Sequence, residues 1–162
     1  YFEVSKKDKQ PFHVVINDET EILVLGTHFN VNTYADNEAI AATLLEGSVR
    51  IIKGSEAQLL KTGQQAELKN NTISIRSGVD TNQVMAWKNG YFSFNNTGLE
   101  IIMKQLARWY DVNIIYNGKT PQMKFWGGIR MNSTLSQVLQ ILEESRVKFR
   151  VEDKNIIVLY DK

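Results

Sequence analysis

Between Leu99 and Val151 the chain states one pattern twice. The first copy runs Asn96-Thr97-Gly98-Leu99 through Ile102-Met103 and Leu106 to Val112-Asn113-Ile114-Ile115-Tyr116. The second runs Asn132-Ser133-Thr134-Leu135 through Val138-Leu139 and Leu142 to Val147-Lys148-Phe149-Arg150-Val151. Each copy reads as a capped amphipathic helix followed by a strand, with a strand-like run before each helix. Two tandem β-α-β units this short leave no room for a deep active site. They point to a chain that binds another protein.

The helical faces are explicit. Leu99, Ile102, Met103, Leu106, Trp109 and Tyr110 share one side at a period near 3.6, as do Leu135, Val138, Leu139 and Leu142. Thr97 with Glu100 three residues on is a capping-box pattern, and Ser133 or Thr134 is placed to cap the second helix. The spacing predicts strands over Tyr91–Phe94, Val112–Tyr116, Met123–Met131, Val147–Val151 and Ile156–Leu159.

Upstream of Arg76 the period is different. Alternating or short apolar runs (Tyr1–Val4, Phe12–Ile16, Glu21–Leu25, Phe29–Thr33, Ala42–Leu45, Ser48–Ile52, Gln58–Leu60, Gln65–Leu68, Thr72–Ile75) are separated by turn signals at Asn17-Asp18, Gly26, 35–37, Gly47, Gly54, Gly63 and Asn70-Asn71. Strands at this spacing, with no full helix, predict a sandwich or rolled antiparallel sheet. The expected organisation is therefore an all-β domain over 1–78, a linker over 79–90 and a small α+β domain of two β-α-β units over 91–162. Asp80 or Thr81 caps a short helix through Val84, Met85 and Trp87 in that linker, stopped at Asn89-Gly90. Trp87 is expected to pack between the halves.

With 19 Lys+Arg against 18 Asp+Glu, mixed along the chain, no basic stripe favours a nucleic-acid partner. No apolar run is long enough to span a bilayer, and no signal peptide is visible. The absence of cysteine excludes disulfides, thiolate nucleophiles and zinc–thiolate sites. The alternating start at Tyr1-Phe2-Glu3-Val4, without an initiator Met, reads as a fragment of a longer protein.

Catalytic chemistry finds no support. His13 and His28 lie in strand patterns without a carboxylate at ligand spacing, and Gly127-Gly128 lacks the rest of a phosphate loop. Ser48, Ser55 and Ser133 have no nucleophile context. Glu143-Glu144 reads as a solvated helix end. The Asn-X-Thr triplets at Asn70, Asn95 and Asn132 read as turns or caps. No metal, cofactor or catalytic residue is expected.

The aromatics divide into two groups. Phe92, Phe94, Trp109, Tyr110 and Tyr116 fall on one-sided patterns and are expected in the core. Phe125 and Trp126 are adjacent in a strand, so they face opposite sides and one must point away from the core. Candidate partner-binding residues are therefore Phe125, Trp126, Ile156 and Val158, on sheet edges expected over Met123–Ile129 and Ile156–Leu159. The helix surface with Lys104 and Arg108 is a second candidate.

Several short motifs carry a resemblance. Val24-Leu25-Gly26-Thr27-His28-Phe29-Asn30-Val31, Leu45-Glu46-Gly47-Ser48-Val49 and Leu60-Lys61-Thr62-Gly63-Gln64-Gln65-Ala66 resemble FecR-type anti-sigma factors. Trp87-Lys88-Asn89-Gly90-Tyr91-Phe92-Ser93-Phe94 and Leu99 to Trp109-Tyr110-Asp111-Val112 resemble the C-terminal module of Bacteroidetes members, which is similar to the secretin and TonB short N-terminal domain. Thr62 departs from the usual proline, leaving Gly63 to supply the positive φ of that turn.

The resemblance implies a periplasmic sensor region, anchored by one membrane helix and linked to a cytoplasmic segment that binds an extracytoplasmic-function sigma factor. It also implies a partner, the signalling domain of an outer-membrane TonB-dependent transducer. Two competing expectations are a carbohydrate- or ligand-binding β-domain, for which Tyr34 is nearly the sole exposed aromatic, and a structural periplasmic adaptor without a sigma-factor link.

Overall fold

The computed structural model describes residues 1–6, 10–118 and 122–159 and divides into two units, Tyr1–Met85 and Ala86–Lys162. Among the described residues the first unit holds nine strands: β1 (Phe2–Val4), β2 (Phe12–Asn17), β3 (Thr20–Val24), β4 (Thr27–Asn32), β5 (Ile40–Glu46), β6 (Val49–Lys53), β7 (Glu56–Leu60), β8 (Gln65–Lys69) and β9 (Thr72–Arg76). They form two antiparallel sheets, β1-β4-β5-β8-β9 and β2-β3-β6-β7. Ile22, Val24, Val49, Ile51 and Leu60 from one sheet meet Phe29, Ala42, Leu44 and Ala66 from the other in a single core. The result is a sandwich in which each fully buried Leu, Ile or Phe contributes about 1.5–3 kcal/mol.

The chain changes sheet after β1 and again after β3, β5 and β7, and each of the three motifs quoted for the N-terminal half spans one of these last three crossings. At the crossing after β5, Gly47 has φ +90, and a Cβ there would sit 2.5 Å from the Gly26 carbonyl oxygen of the crossing after β3. The Thr27 hydroxyl donates to the Ser48 carbonyl at 2.8 Å and binds the same two crossings together. Only a glycine permits that approach. At the crossing after β7 the Gln64 N–H donates to the Lys61 carbonyl across Thr62-Gly63, with Gly63 at φ +78 as the sequence predicts. These motifs are structural joints of the sandwich.

The short helix α1 (Thr81–Met85) is capped by Asp80, whose carboxylate accepts the Asn82 and Gln83 N–H groups. It is the last element of the first unit, which ends at Met85. The Trp87 ring is half exposed.

The second unit contains β10 (Tyr91–Gly98), α2 (Leu99–Tyr110), β11 (Asn113–Asn117), β12 (Lys124–Arg130), α3 (Leu135–Glu143), β13 (Lys148–Glu152) and β14 (Asn155–Leu159). The two β-α-β units are present in order, but their strands pair across the repeat. The first strands of each copy, β10 and β12, form an antiparallel ribbon. The second strands, β11 and β13, flank β14, parallel on one side and antiparallel on the other. Leu99, Ile102, Met103 and Leu106 of α2 pack with Val138, Leu139 and Leu142 of α3 against the inner faces of ribbon and sheet.

The α3 cap follows the sequence: Thr134 Oγ1 accepts the Gln137 N–H and the Gln137 side chain accepts the Thr134 N–H. The α2 cap does not. Its N-cap is Gly98, without a side-chain bond, and Thr97 Oγ1 accepts the Asn95 N–H instead. A bulge at Asn95-Asn96, with Asn96 at φ +55, lets β10 run on to Gly98, and Thr97 stays in the ladder opposite Phe125. The capping-box pattern was consumed by the strand.

Candidate docking surface

The β10–β12 ribbon has one wet face and one dry face. Phe125 and Ile129 of β12 point into the core beside Phe92 and Phe94 of β10. Alternation then sends Lys124, Trp126, Gly128 and Arg130 outward. Trp126 is 67% exposed, the most open of the three tryptophans. Across the ladder, Tyr91 stands opposite Arg130 and is 41% exposed, Ser93 lies opposite Gly128, and the Asn95-Asn96 bulge faces Trp126. Among the described residues β12 pairs with no strand but β10, so its outer edge carries free ladder positions.

The four residues singled out from the sequence separate accordingly. Trp126 is on the surface and Phe125 is its buried neighbour, the division that alternation requires. Ile156 and Val158 are corrected: both are buried in the core, and their strand is the centre of its sheet. They cannot form a docking edge. A continuous apolar run, Ile156-Ile157-Val158, marks a strand covered on both sides, and that signal was present in the sequence. The edges of that sheet are β11 and β13, with Ile115 and Val151 partly exposed. Lys124, Arg130 and Tyr91 were missed, although period-two counting from Trp126 places both cations on its face.

Trp109 is a second correction. Expected in the core, it is 53% exposed, yet fixed: it meets Phe92 edge-on and its Nε1–H donates to the Met131 carbonyl at 2.9 Å. Phe92 and Phe94 are buried as expected, and Tyr110 and Tyr116 pack against the core. Burial pushes the Tyr110 phenol above its usual range; Tyr116 is raised by burial and then by the nearby Glu100 carboxylate. Lys104 and Arg108 on α2 are half-buried and already engaged.

In the first unit each histidine meets a glutamate across the strands, His13 with Glu21 and His28 with Glu46, both at 3.0 Å. These carboxylates are 8 and 18 residues away, invisible to a search for local ligand spacing. Among the described residues no group of three or more His, Cys, Asp or Glu could hold a metal ion. Tyr34 is exposed as expected, and Phe12 is exposed as well. No helix of the described residues is long and apolar enough to cross a membrane.

Residues 91–158 match the FecR, C-terminal family. Two crystal structures of a candidate anti-sigma factor from Parabacteroides distasonis ATCC 8503, at 1.65 and 2.50 Å, share the fold with TM-scores of 0.82 and 0.81. In both, identity is 24%, and the match covers 99% of this chain and 76% of the other. A search of curated proteins gives no match. The second unit is thus similar to the FecR C-terminal family, and the chain as a whole shares its fold with the Parabacteroides distasonis protein.

Proposed function

We propose that this chain is the periplasmic relay region of a membrane-anchored FecR-type anti-sigma factor. It binds the signalling domain of an outer-membrane TonB-dependent transducer and so controls an extracytoplasmic-function sigma factor held by a cytoplasmic segment. In this reading the chain is a binding module and not a catalyst. The observation that carries it is a coincidence of place: the segment matching the FecR C-terminal family contains the strand with an unpaired edge and an exposed tryptophan. Exposed aromatics on a free strand edge suit recognition of another protein by strand addition.

The test is a panel. The immobilised chain is exposed to purified signalling domains of several TonB-dependent transducers and, as controls, to secretin N-terminal domains. Selective capture of a transducer domain supports the proposal. Capture of secretin domains alone supports a structural adaptor, and capture of neither overturns the relay reading.

A further inference from the structure

The outer face of β12 has a definite chemistry. Lys124, Trp126, Gly128 and Arg130 lie along it in a row, and no carboxylate stands on the facing positions Tyr91 and Ser93 of β10. Among the described residues neither Lys124 nor Arg130 has an ion-pair partner, a state shared by Arg50, Lys61 and Arg146, whereas Lys53, Lys69, Arg76, Arg150 and Lys154 are paired. Two uncompensated cations bracket one exposed indole, and a residue without a side chain leaves the flank of the ring open.

We infer that this face receives an extended acidic segment of a partner protein, laid along the free edge of β12 with an apolar side chain against Trp126. The inference rests on the docking reading above and names the chemistry of its partner. Strand geometry sets the pattern. Side chains of an added strand recur on one face every second residue, at about 3.3 Å per residue. Directly opposed Cβ atoms lie about 5 Å apart. A parallel segment that meets Lys124 with a carboxylate places an apolar residue two positions on, against Trp126. It then places a bulky residue opposite Gly128 and a second carboxylate opposite Arg130. An antiparallel segment reads the same pattern in reverse. The net charge of the chain is only +1, so the attraction is local to this face.

The probe is a fluorescein-labelled peptide containing Asp-Thr-Leu-Thr-Val-Ser-Glu, titrated with the full chain and followed by anisotropy. Expected is saturable binding that weakens about tenfold or more between 50 and 500 mM NaCl. The Lys124→Glu/Arg130→Glu variant should lose binding to this peptide and gain it for the version carrying Lys at both acidic positions. Trp126→Ala should weaken binding about fivefold or more. Circular dichroism confirms that each variant is folded. No saturation by 1 mM chain, equal binding of the Lys peptide by the unaltered chain, or concentration-dependent dimerisation through this edge overturns the inference.

A parallel capture of the transducer signalling domain separates the two claims. If capture is lost with Trp126→Ala but survives Lys124→Glu/Arg130→Glu, docking at β12 stands and the acidic segment falls. If both variants capture normally, docking at β12 falls as well.

Discussion

The Trp109 indole N–H donates to the Met131 carbonyl oxygen at 2.9 Å, and so the end of α2 holds the turn that precedes α3. The neighbouring Tyr110 hydroxyl repeats the contact, donating to the Ser133 carbonyl at 2.7 Å. One repeat thereby anchors the helix start of the other, directly after β12. Trp109→Phe keeps the edge-on packing with Phe92 and removes the bond. It should destabilise the second unit by about 0.5–1.5 kcal/mol, and Tyr110→Phe should cost a similar amount, as read by urea unfolding.

The joint between Gly26 and Gly47 is a steric requirement. Gly47→Ala drives a methyl to 2.5 Å from the Gly26 carbonyl oxygen and also forces a left-handed backbone on alanine. The expected loss is at least about 2 kcal/mol. Gly54→Ala, also at positive φ but with nothing within 4 Å, should cost clearly less. Equal losses in the two unfolding curves would remove the close-approach argument.

Helix α2 makes the same contrast in the second unit. Leu106 is fully buried between the helices and the sheets, so Leu106→Ala should cost about 2–5 kcal/mol. Ile101, one side of the helix away and half exposed, should tolerate alanine within about 0.5 kcal/mol. Chemical denaturation of the two variants measures both.

Tyr110 and Tyr116 carry raised pKa values, because burial disfavours the phenolate. A folded pKa above the unfolded one means that the associated stability is present below the unfolded pKa and disappears as pH climbs through the folded one. Spectrophotometric titration at 295 nm should show at least two tyrosines ionising above the ordinary value of 10.0. Tyr116→Phe should remove one of them and flatten the alkaline loss. At the acid end the sign reverses. Lys154 bonds to Asp111 at the α2 terminus and holds its carboxyl below the usual range, so that contribution is present above the unfolded pKa and is lost as pH falls through the folded one.

Much of this architecture is legible in the chain because the two units obey different periods. Turn signals at Gly54 and Asn70-Asn71 sit at tight hairpins, and Thr134 caps its helix as written. Pairing was the part that periodicity could not supply. Nothing local names β11 and β13 as the neighbours of β14. The continuous apolar run Ile156-Ile157-Val158 does mark a covered strand, and the choice of an edge at Ile156 and Val158 failed because that run was not weighed. Thr97 failed differently: a bulge two residues earlier outcompeted the cap. Trp109 sits at the margin of the apolar helical face, where a large ring with one polar atom can satisfy a carbonyl and remain half in water. Trp126 was found because adjacent strand residues must face opposite ways. Its cationic neighbours were overlooked although the same rule finds them.

The proposed docking site of the transducer domain is β12. That assignment is tested most directly by the affinity of that domain for the chain and for Trp126→Ala, measured by titration calorimetry. Leu59→Ala serves as the control, an exposed residue in the other unit. The expected Kd is at least about tenfold weaker for Trp126→Ala, about 1.4 kcal/mol, and unchanged for the control. Unchanged affinity of the Trp126→Ala chain would contradict it.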